Sequence, residues 1–408
     1  MGTERYDITL IGGGLVGTAM AVTLARHGFR VALVDAAPVA DRAALDFDGR
    51  AYAVAPGSRN LLASIGLWDG ISAAAQPIAR IEVEDRLDGP LPPSHLHFDP
   101  AEAGRAELGW IVEDHVLRRA LLSAVEMTEG LDHIAPDRAA EVVRDGYGAT
   151  VELTSGRSLA SALIVACDGR RSAIARDAGI RYLNWSYDQV GLVAAISHSA
   201  DHQGLARQGF YPGGPFAVLP MTGRRSALVW SERPEEAERI ASLEDAAYLA
   251  AVATRIGGRL GEIELAGKRW SYPLGLALAQ SYTAPRLVVA GDAAHGVHPI
   301  AGQGMNLGLR DAAALTETLV GARRLGLDLG DPEALRGYEQ WRRFDATALS
   351  LGMDALNRLF SNNNPPLQAL RNLGLQAVSQ VPPLRASFIG AASGVAETAP
   401  ALLAGRAI

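Results

Sequence analysis

The sequence predicts an α/β fold, in which a helix-covered parallel sheet carries an inserted, mostly antiparallel sheet and is followed by a helical C-terminal region. Three observations predict it. A short apolar run leads into a glycine-rich turn and an apolar helix at 7–28. A second strand, turn and helix pattern recurs at 287–315. Between them, residues 190–272 carry short apolar runs separated by Gly and Pro, as antiparallel strands do.

The composition is that of a globular protein with more than one core. The chain has 408 residues, 48% hydrophobic and 20% charged, whereas single cores stop growing at roughly 250–300 residues. A formal net charge of −7 argues against the basic surface that nucleic-acid binding requires. Cys167 is the only cysteine, and no signal peptide or membrane-spanning apolar run is evident. We therefore expect a cytoplasmic protein that does not bind nucleic acid.

The opening segment predicts a βαβ unit that binds a dinucleotide. After the apolar run at 7–11, Gly12, Gly14 and Gly17 form a GxGxxG pattern. The first glycine permits a tight turn, the second lets backbone N–H groups approach a pyrophosphate, and the third lets helix and strand pack closely. A second strand ends at Asp35, where a carboxylate can accept from ribose hydroxyls. The motif alone does not separate NAD from FAD, and the alternative is a glycine turn that serves packing only.

The second glycine-rich segment favours FAD. A predicted strand at 287–290 ends at Gly291 and Asp292. An apolar helix then opens with Gly302, Gln303, Gly304, Met305 and Asn306. Asp292 is suited to hydrogen-bond the sugar-alcohol chain of a flavin, and the N–H groups of the helix start to stabilise negative charge on its reduced ring. NAD would not need this second anchor; the alternative is an ordinary Gly/Pro loop.

These motifs resemble those of the group A aromatic hydroxylases related to p-hydroxybenzoate hydroxylase. That family shows GxGxxG, a central Asp-Gly as at Asp168, and a Gly-Asp followed by His-Pro as at His298 and Pro299. Other segments look like the ubiquinone-biosynthesis hydroxylases: DGRA at 48–51, LGWIVE at 108–113, GPFAVLP at 214–220 and HPIAGQG at 298–304. FDGR at 47–50 and IGLW at 65–68 are most similar to the 2-polyprenyl-6-methoxyphenol hydroxylase branch, although its siblings share most signatures. Cys167 stands where the family usually has Ala, and Asp114 where many members have Asn.

The resemblance implies a division of the chain into three parts. The first is a Rossmann-like FAD-binding domain built from the discontinuous segments 1–80, 105–182 and 275–345. The second is a substrate domain, 81–104 and 183–274, whose mostly antiparallel β-sheet roofs the active site. The third is a C-terminal helical region at 346–408.

The resemblance also implies an FAD-dependent NAD(P)H:phenol monooxygenase, an oxidoreductase of ubiquinone biosynthesis. In this family NADH or NADPH reduces FAD and leaves, O₂ adds to give a flavin C4a-hydroperoxide, and a polyprenylated phenol attacks the distal oxygen. The mouth of the site must exclude water to preserve the hydroperoxide. We expect the substrate residues there to be Phe216, Val218, Leu219 and Pro220.

The resemblance assigns further site residues. Pro299 is expected beside the flavin C4a position, with His298 as a positioning residue. The expected cofactor-binding residues are Gly12, Gly14, Gly17, Asp35, Arg50, Arg118, Asp168, Gly291, Asp292, Gly302, Gln303, Gly304, Met305 and Asn306. His202, His295 and His298 are candidates for a base, and none is assigned. No metal is expected, because His295 and His298 lack a third ligand.

The C-terminal region leaves two interpretations open. Leu349, Met353, Leu356, Leu359 and Phe360 share one helical face, followed after a break at 362–366 by Leu373, Leu375 and Val378. In one interpretation this face makes peripheral contact with the inner face of a membrane, from which a polyprenyl substrate is taken, or with other ubiquinone-biosynthesis proteins. In the other it packs onto the flavin lobe.

Two alternative functions stay open on sequence alone. One is a flavin reductase on the same scaffold, which O₂-dependent product formation would separate from a hydroxylase. The other is a flavoprotein that acts mainly as a structural subunit of a quinone-synthesis complex. A halogenase is disfavoured, since the Trp-x-Trp-x-Ile-Pro element is absent around Trp185, Trp230 and Trp270. The sequence does not specify the ring position, the prenyl chain length, NADH or NADPH, or the oligomeric state.

Overall fold

The computed structural model describes residues 3–43, 46–85, 95–361, 374, 378–395 and 398–408. Within these residues the strands, β1 to β20 in chain order, are Glu4–Ile11, Val31–Val34, Ala51–Val54, Gln76–Pro77, Arg80–Asp85, His95–Phe98, Trp110–Glu113, Leu131–Ile134, Ala139–Arg144, Ala149–Leu153, Ser158–Ala166, Tyr182–His198, Leu205–Tyr211, Gly214–Met221, Arg225–Glu232, Ile263–Leu265, Trp270–Ala279, Thr283–Ala284, Leu287–Val289 and His295–Gly296. The α-helices, α1 to α11 in chain order, are Leu15–Arg26, Val39–Ala43, Pro56–Ser64, Trp68–Ser72, Asp114–Met127, Ala173–Asp177, Pro234–Ala241, Asp245–Ile256, Gln303–Arg324, Pro332–Phe360 and Pro382–Ser393.

The first sheet has a parallel core in the order β19, β11, β1, β2 and β8. Strands β18, β10 and β9 extend it with antiparallel pairing. Strand β2 is buried at every position, as expected for a parallel strand covered on both faces. Its connection from β1 passes through α1, so the predicted βαβ unit is confirmed.

The second sheet is mostly antiparallel, in the order β20, β17, β12, β15, β14, β13, β5 and β6, with β16 added beside β12. Only the β5–β13 pairing among these neighbours is parallel in the described residues. Helices α7 and α8 cover one face with an apolar cluster that includes Trp230 and Tyr248. A third, small sheet joins β3, β7 and β4. The predicted mixed α/β fold with an added antiparallel sheet is therefore confirmed.

The pairing of strands bears on the predicted division of the chain. Strands β5 and β6, from the predicted segment 81–104, pair with each other and through β13 with the second sheet. Residues 86–94 of that segment lie outside the described residues. Strand β17 belongs to the second sheet along its whole length, across the predicted boundary at 275. The division into domains stays a prediction.

The predicted apolar face of the C-terminal region packs onto the protein. Met353 is buried in the main core, and Phe360 stacks on Phe210 of β13 with ring centroids 4.3 Å apart. Leu349 and Leu359 are partly buried, whereas Leu356 is exposed. Val378 joins the Phe360 cluster, and the break at 362–366, Leu373 and Leu375 lie outside the described residues. Of the two interpretations, packing describes this face.

A helix that crosses a bilayer needs about 20 mostly apolar residues. None of the helices in the described part of the chain is long and apolar enough to cross one.

The packing of α1 on the turn after β1 leads to a test of stability. A Cβ atom at Gly17 would lie 1.9 Å from the carbonyl oxygen of Gly12. We expect Gly17→Ala to lower the free energy of unfolding by about 1–3 kcal/mol, because the helix must move away from the turn. Urea unfolding of the cofactor-free protein measures this.

Gly321→Ala is the matched control. Gly321 also lies in a helix, and no atom is within 4 Å of its added Cβ, so the change should leave stability unaltered or raise it by up to about 1 kcal/mol. Equal unfolding midpoints for Gly17→Ala and wild type would contradict the proposed close packing.

Candidate functional site

The turn between β1 and α1 requires glycine at Gly12. Its φ of +108° lies in the region that side chains avoid, and an added Cβ would approach the carbonyl oxygen of Cys167 to 2.3 Å. Cys167 donates its N–H to the carbonyl oxygen of Ile11 at 2.7 Å. The backbone of β11 thus presses directly on the turn, which fixes where α1 begins.

The N-terminus of α1 is suited to an anion. Gly14 is its N-cap, no side chain caps it, and the first turn carries no acidic residue. A Cβ at Gly14 would meet nothing within 4 Å, so the free N–H groups are accessible from that side. Uncapped N–H groups and the helix dipole together bind phosphate groups, so this position fits the pyrophosphate of a dinucleotide.

Asp35 lies at the end of β2, against the glycine turn. Its carboxylate is buried, and Oδ1 accepts from the Ala37 N–H at 3.1 Å and from Arg42 Nη2 at 2.8 Å. A Cβ at Gly13 would meet Oδ2 at 2.1 Å. Arg42, which sequence reasoning missed, also donates to the carbonyl oxygen of Gly13. In the sequence, the sign of this pair is that Arg42 follows Asp35 by seven positions.

Arg50 and Arg118 meet on one buried carboxylate, that of Asp114. Its Oδ2 accepts from Arg118 Nε at 2.7 Å and lies 3.3 Å from Arg50 Nη2. The same Nη2 of Arg50 donates to Asp48 Oδ2 at 2.6 Å, and hydrogen bonding to Asp48 raises the pKa of the Arg50 guanidinium. Oδ1 of Asp114 is buried without a hydrogen-bond partner in the described residues. Asp114, noted from sequence only as a departure from the family, therefore holds both predicted arginines.

The loop after β19 is held by a second buried carboxylate, Asp311 of α9. Its Oδ2 accepts from the Gly291 N–H at 2.8 Å and from His295 Nε2 at 2.6 Å. Its Oδ1 accepts from Arg342 Nε at 2.7 Å. Burial acts to raise the pKa of Asp311, but its interactions with His295 and Arg342 outweigh burial and lower that pKa. The carboxylate is thus kept ionised inside the protein.

Sequence reasoning missed Asp311 and Arg342. The signal for Asp311 was present, since Arg310 and Asp311 stand together inside the otherwise apolar stretch 307–315 of α9. Ionised residues are rarely buried unless paired, so this pair predicts a partner elsewhere in the chain. Nothing in the sequence pattern indicates that the partner is Arg342.

Asp168 and Asp292 lie on the exposed rim of this region. Asp168 Oδ2 accepts from the Ala173 N–H at 3.1 Å and so orders the start of α6. Asp292 Oδ2 lies 3.5 Å from Arg170 Nε, with its side chain half exposed and accessible to a ligand. Asp168 N would lie 2.8 Å from a Cβ at Gly12, which places the Asp-Gly motif beside the glycine turn.

The start of α9 also lacks a side-chain cap. Its N-cap, Gly302, has φ +60° and no side-chain cap, and the first turn has no acid. A Cβ at Gly302 would lie 2.9 Å from that of Ala53. Gly304 and Met305 follow within the first turn and are partly exposed, whereas Gln303 is buried. The free N–H groups of this turn are the groups that can contact a ligand.

The side chain of Asn306, one of the predicted cofactor-binding residues, is hydrogen-bonded within the protein, and its role toward a cofactor stays a prediction. Its Oδ1 accepts from the Ala55 N–H at 2.9 Å and from Ser58 Oγ at 2.7 Å. Its Nδ2 donates to the carbonyl oxygens of Ala53 at 2.8 Å and Gly302 at 3.0 Å. These four bonds use the full capacity of the amide. Asn306 fastens α9 to β3 and α3.

The two helix starts are brought together by Val16 of α1. Added Cβ atoms at Gly291 and Gly308 would lie 3.1 Å and 2.5 Å from its side-chain carbons. Strands β1 and β19 flank β11 and run parallel to it, so their carboxyl ends lie at the same edge of the sheet. Ligands bind at this edge in open α/β sheets.

His298 is buried and neutral. Its Nδ1 accepts from the Ile300 N–H at 3.3 Å, so Nε2 carries the ring proton, and Nε2 has no hydrogen-bond partner in the described residues. Burial, with the nearby charge of Arg170, lowers the pKa of His298 to about 4. The Tyr187 ring packs edge-on at 5.1 Å. His298 therefore presents a buried N–H donor.

Pro299 follows His298 and is partly exposed at the entry to the Ile300–Gly302 turn. Its carbonyl oxygen accepts from the Gly302 N–H at 3.0 Å. Pro299 thus lies between the buried histidine and the start of α9.

The four predicted substrate residues do not share one face of β14. Phe216 and Val218 are buried under α7 and α8, with Trp230 at 5.5 Å from the Phe216 ring. Leu219 points to the opposite face, into a cluster with Ala53 and Ala195. Pro220 alternates with Leu219 and is buried. Because side chains alternate along a strand, Leu219 faces away from Phe216 and Val218. The assignment of the four residues to the mouth of the site stays a prediction.

Three groups of residues fit FAD. The start of α1 can hold the pyrophosphate, Asp35 the ribose, and the start of α9 the flavin ring, each on geometry described above. In the described residues, no three His, Cys, Asp or Glu side chains are grouped to hold a metal ion.

Comparison with known proteins places this site in a family. The family model described as "FAD binding domain" matches residues 5–349. Ubiquinone hydroxylase UbiL of Rhodospirillum rubrum is 41% identical over 97% of this chain and 91% of its own. The 3-demethoxyubiquinol 3-hydroxylase of Escherichia coli is 34% identical over 97% of this chain and all of its own.

A solved structure shares the fold. It is p-nitrophenol 4-monooxygenase PnpA from Pseudomonas putida DLL-E4, with a TM-score of 0.77 over 96% of this chain and 99% of that one. At 18% identity, the likeness concerns the fold alone.

The buried histidine leads to a pH dependence of stability. The pKa of His298 falls from 6.5 to about 4 on folding, so between these values the unfolded chain binds a proton that the folded protein does not. The contribution of the neutral histidine is complete above pH 6.5 and is lost as the pH falls toward 4, at about 1.4 kcal/mol per pH unit. We expect the stability difference between wild type and His298→Gln to shrink over this range in urea unfolding.

Leu325→Ala serves as the control, since the Leu325 side chain is 77% exposed and neither leucine nor alanine titrates. Its difference from wild type should change little with pH. A pH-independent difference for His298→Gln would show that His298 is not buried in its neutral form.

Proposed function

Because the chain belongs to the FAD-binding-domain family, we propose that it is an FAD-dependent monooxygenase that hydroxylates the ring of a polyprenylated phenol in ubiquinone biosynthesis. The observation that carries the proposal is the meeting of two uncapped helix N-termini, of α1 and α9, at one edge of the parallel sheet. The substrate class rests on the ubiquinone hydroxylases that the chain matches over nearly its whole length.

The reaction needs a reductant and O₂ in addition to the phenol. Bound FAD would pass two electrons from NADH or NADPH to O₂, so that one oxygen atom enters the ring and the other leaves as water. The chain's own residues bind and orient the reactants. Backbone N–H groups at the start of α1 hold the pyrophosphate, and those of α9 stabilise negative charge at the ring.

His298 acts in this proposal as a hydrogen-bond donor and not as a base. A group whose pKa is about 4 accepts a proton from a phenol poorly near neutral pH. Its Nε2–H can instead orient an oxygen atom of the substrate. Pro299 beside it, and Leu219 on the facing sheet, supply apolar surface that excludes water from the reaction.

Isotope labelling tests the reaction. The FAD-loaded protein is given NAD(P)H, ¹⁸O₂ and a short-chain 2-prenyl-6-methoxyphenol, and the product is analysed by mass spectrometry. We expect one ¹⁸O atom in the product, as a new hydroxyl group on the ring, and fragmentation identifies the position. Product containing ¹⁸O only when active enzyme is present would support monooxygenation.

The other outcomes separate the alternatives. Reduction of a prenylated substrate without uptake of ¹⁸O would favour the reductase. A flavin that NAD(P)H does not reduce in the presence of any phenol tested would favour a structural subunit. Release of H₂O₂ without labelled product would keep the hydroxylase class and reject this substrate.

We further propose that the protein takes its substrate at a membrane surface through α10. The side of α10 opposite its buried residues carries an apolar stripe of Phe344, Ala348, Leu351 and Ala355. Phe344 is 78% exposed and Leu351 43%. An exposed apolar stripe on a long surface helix is suited to lie at the boundary of lipid headgroups and acyl chains. This stripe differs from the face predicted from sequence, of which Met353 and Phe360 are buried and Leu356 is exposed.

Liposome flotation tests the membrane contact. We expect the double variant Phe344→Ser and Leu351→Ser to lose most of the binding of wild type to vesicles of mixed phosphatidylethanolamine and phosphatidylglycerol. The control is Leu325→Ser and Leu327→Ser, two exposed leucines between α9 and α10. Binding by wild type and both variants to the same extent would refute the role of α10.

A further inference from the structure

A pocket with a volume of about 410 Å³ lies beside the proposed flavin site and outside the residues assigned to it. It is formed by α3, by Trp68 at the start of α4 and by the segment from Arg105 to Trp110. This volume is in the range of pockets that bind small organic ligands. Its walls combine guanidinium groups and indole rings.

Two arginines in this pocket lack acidic partners. Among the described residues, no carboxylate forms an ion pair with Arg59 or Arg105. Arg59 Nη1 makes a long hydrogen bond of 3.4 Å to Asn60 Oδ1, and Arg105 Nε is buried without a partner. Glu107 is the one acidic residue lining the described pocket. Two uncompensated guanidinium groups at one pocket are suited to bind a phosphate.

Two tryptophans form the apolar wall of the pocket. The rings of Trp68 and Trp110 meet edge to face with centroids 5.1 Å apart. The Arg59 guanidinium lies 5.7 Å from the Trp68 ring. Trp110 is only partly buried and so presents surface to the pocket. Indole and guanidinium groups side by side are surfaces on which a nucleobase stacks.

The pocket and the start of α9 lie against adjacent residues of β3, Val54 and Ala53. Val54, at the end of β3, pairs with Trp110. Ala53 before it lies against Gly302 and accepts from Asn306 at 2.8 Å. Helix α3 contacts both the pocket and α9. Pro56 and Arg59 line the pocket, and Ser58 donates to Asn306. A ligand bound in the pocket is therefore close to the proposed position of the flavin ring.

We propose that this pocket binds the adenosine-phosphate half of NADH or NADPH while the nicotinamide half extends toward the flavin. A phosphate would lie between Arg59 and Arg105, with the adenine ring against the tryptophans. The inference rests on the proposed function, which requires this co-substrate, while the sequence shows one GxGxxG motif, at Gly12. An open pocket suits a ligand that must leave after each reduction of the flavin.

Binding and kinetic measurements test the pocket. Arg59→Gln and Arg105→Gln are compared with wild type for the KM of NADPH and of NADH in anaerobic flavin reduction. Binding of 2′,5′-ADP and of ADP, which cannot reduce flavin, is measured by calorimetry. We expect each variant to raise KM and the Kd of the nucleotide tenfold or more, about 1.4 kcal/mol, with unchanged FAD content. Equal values in both variants and wild type would overturn the inference.

Arg324→Gln is the control, since Arg324 is exposed at the end of α9 and should leave KM and Kd unchanged. A loss of affinity in this control equal to that in the pocket variants would also overturn the inference. Preference for 2′,5′-ADP over ADP would identify the phosphate bound as the 2′-phosphate of NADPH, and equal affinity as a phosphate that both nucleotides share; either result supports the pocket.

Two further measurements keep the inference testable. If a variant loses FAD or does not fold, wild type is photolabelled with an azidoadenine analogue of NADPH. Label on peptides that contain Trp68 or residues 105–110 supports the pocket, and label elsewhere overturns it.

Reducing the flavin with dithionite before adding O₂ and phenol separates the two proposals. Labelled product without NAD(P)H supports hydroxylation independently of the pocket, and its absence counts against the proposed function alone.

Discussion

The buried carboxylate of Asp311 is the interaction on which the candidate site depends. It binds the Gly291 N–H, His295 and Arg342, and so joins the loop after β19 to α9 and α10. The side chains of Asp311, His295 and Arg342 are almost fully buried. Removing one partner of a buried ion pair leaves a charge that nothing compensates, at a cost of about 3–5 kcal/mol. The position of the Gly-Asp motif is therefore fixed by a residue outside the motif.

The same network extends from the site to the C-terminal helices. Arg342 also binds Asp345, Asp345 contacts Arg310, and Arg310 donates to the carbonyl oxygen of Ala391 at 3.0 Å near the end of α11. The two arginines pair with the two aspartates, of which Asp311 is fully buried and Asp345 is partly exposed. This pairing explains how a weakly charged C-terminal segment is held in place on α9. Helix α9, whose N-terminus is proposed to face the flavin, is thus held by contacts with α10 and α11.

The parts of the fold that the sequence predicts are those set by local sterics. Gly12 and Gly17 could be interpreted from the motif because a single Cβ at either position meets backbone atoms of neighbouring segments. Apolar runs likewise predicted β1, α1 and β2, since periodicity is a local property. Asp311 and Arg342 escaped prediction because they are 31 residues apart and meet only when α9 packs on α10. The sequence indicates that a charged residue within an apolar stretch is buried, but it does not indicate which distant residue pairs with it.

A sequence motif also predicts backbone conformation better than it predicts the contacts of side chains. Asn306 belongs to the glycine-rich motif, yet its amide is used up in fastening α9 to β3 and α3. Along β14, alternation sends Phe216 under α7 and α8 and Leu219 toward Ala53. Gly302 packs on Ala53 as well, so the face that carries Leu219 is the one turned toward the start of α9. Under the proposed function, we therefore expect the positions of β14 that share the Leu219 face to determine which ring is accepted. Substitutions at Phe216 are expected to act through the stability of the sheet.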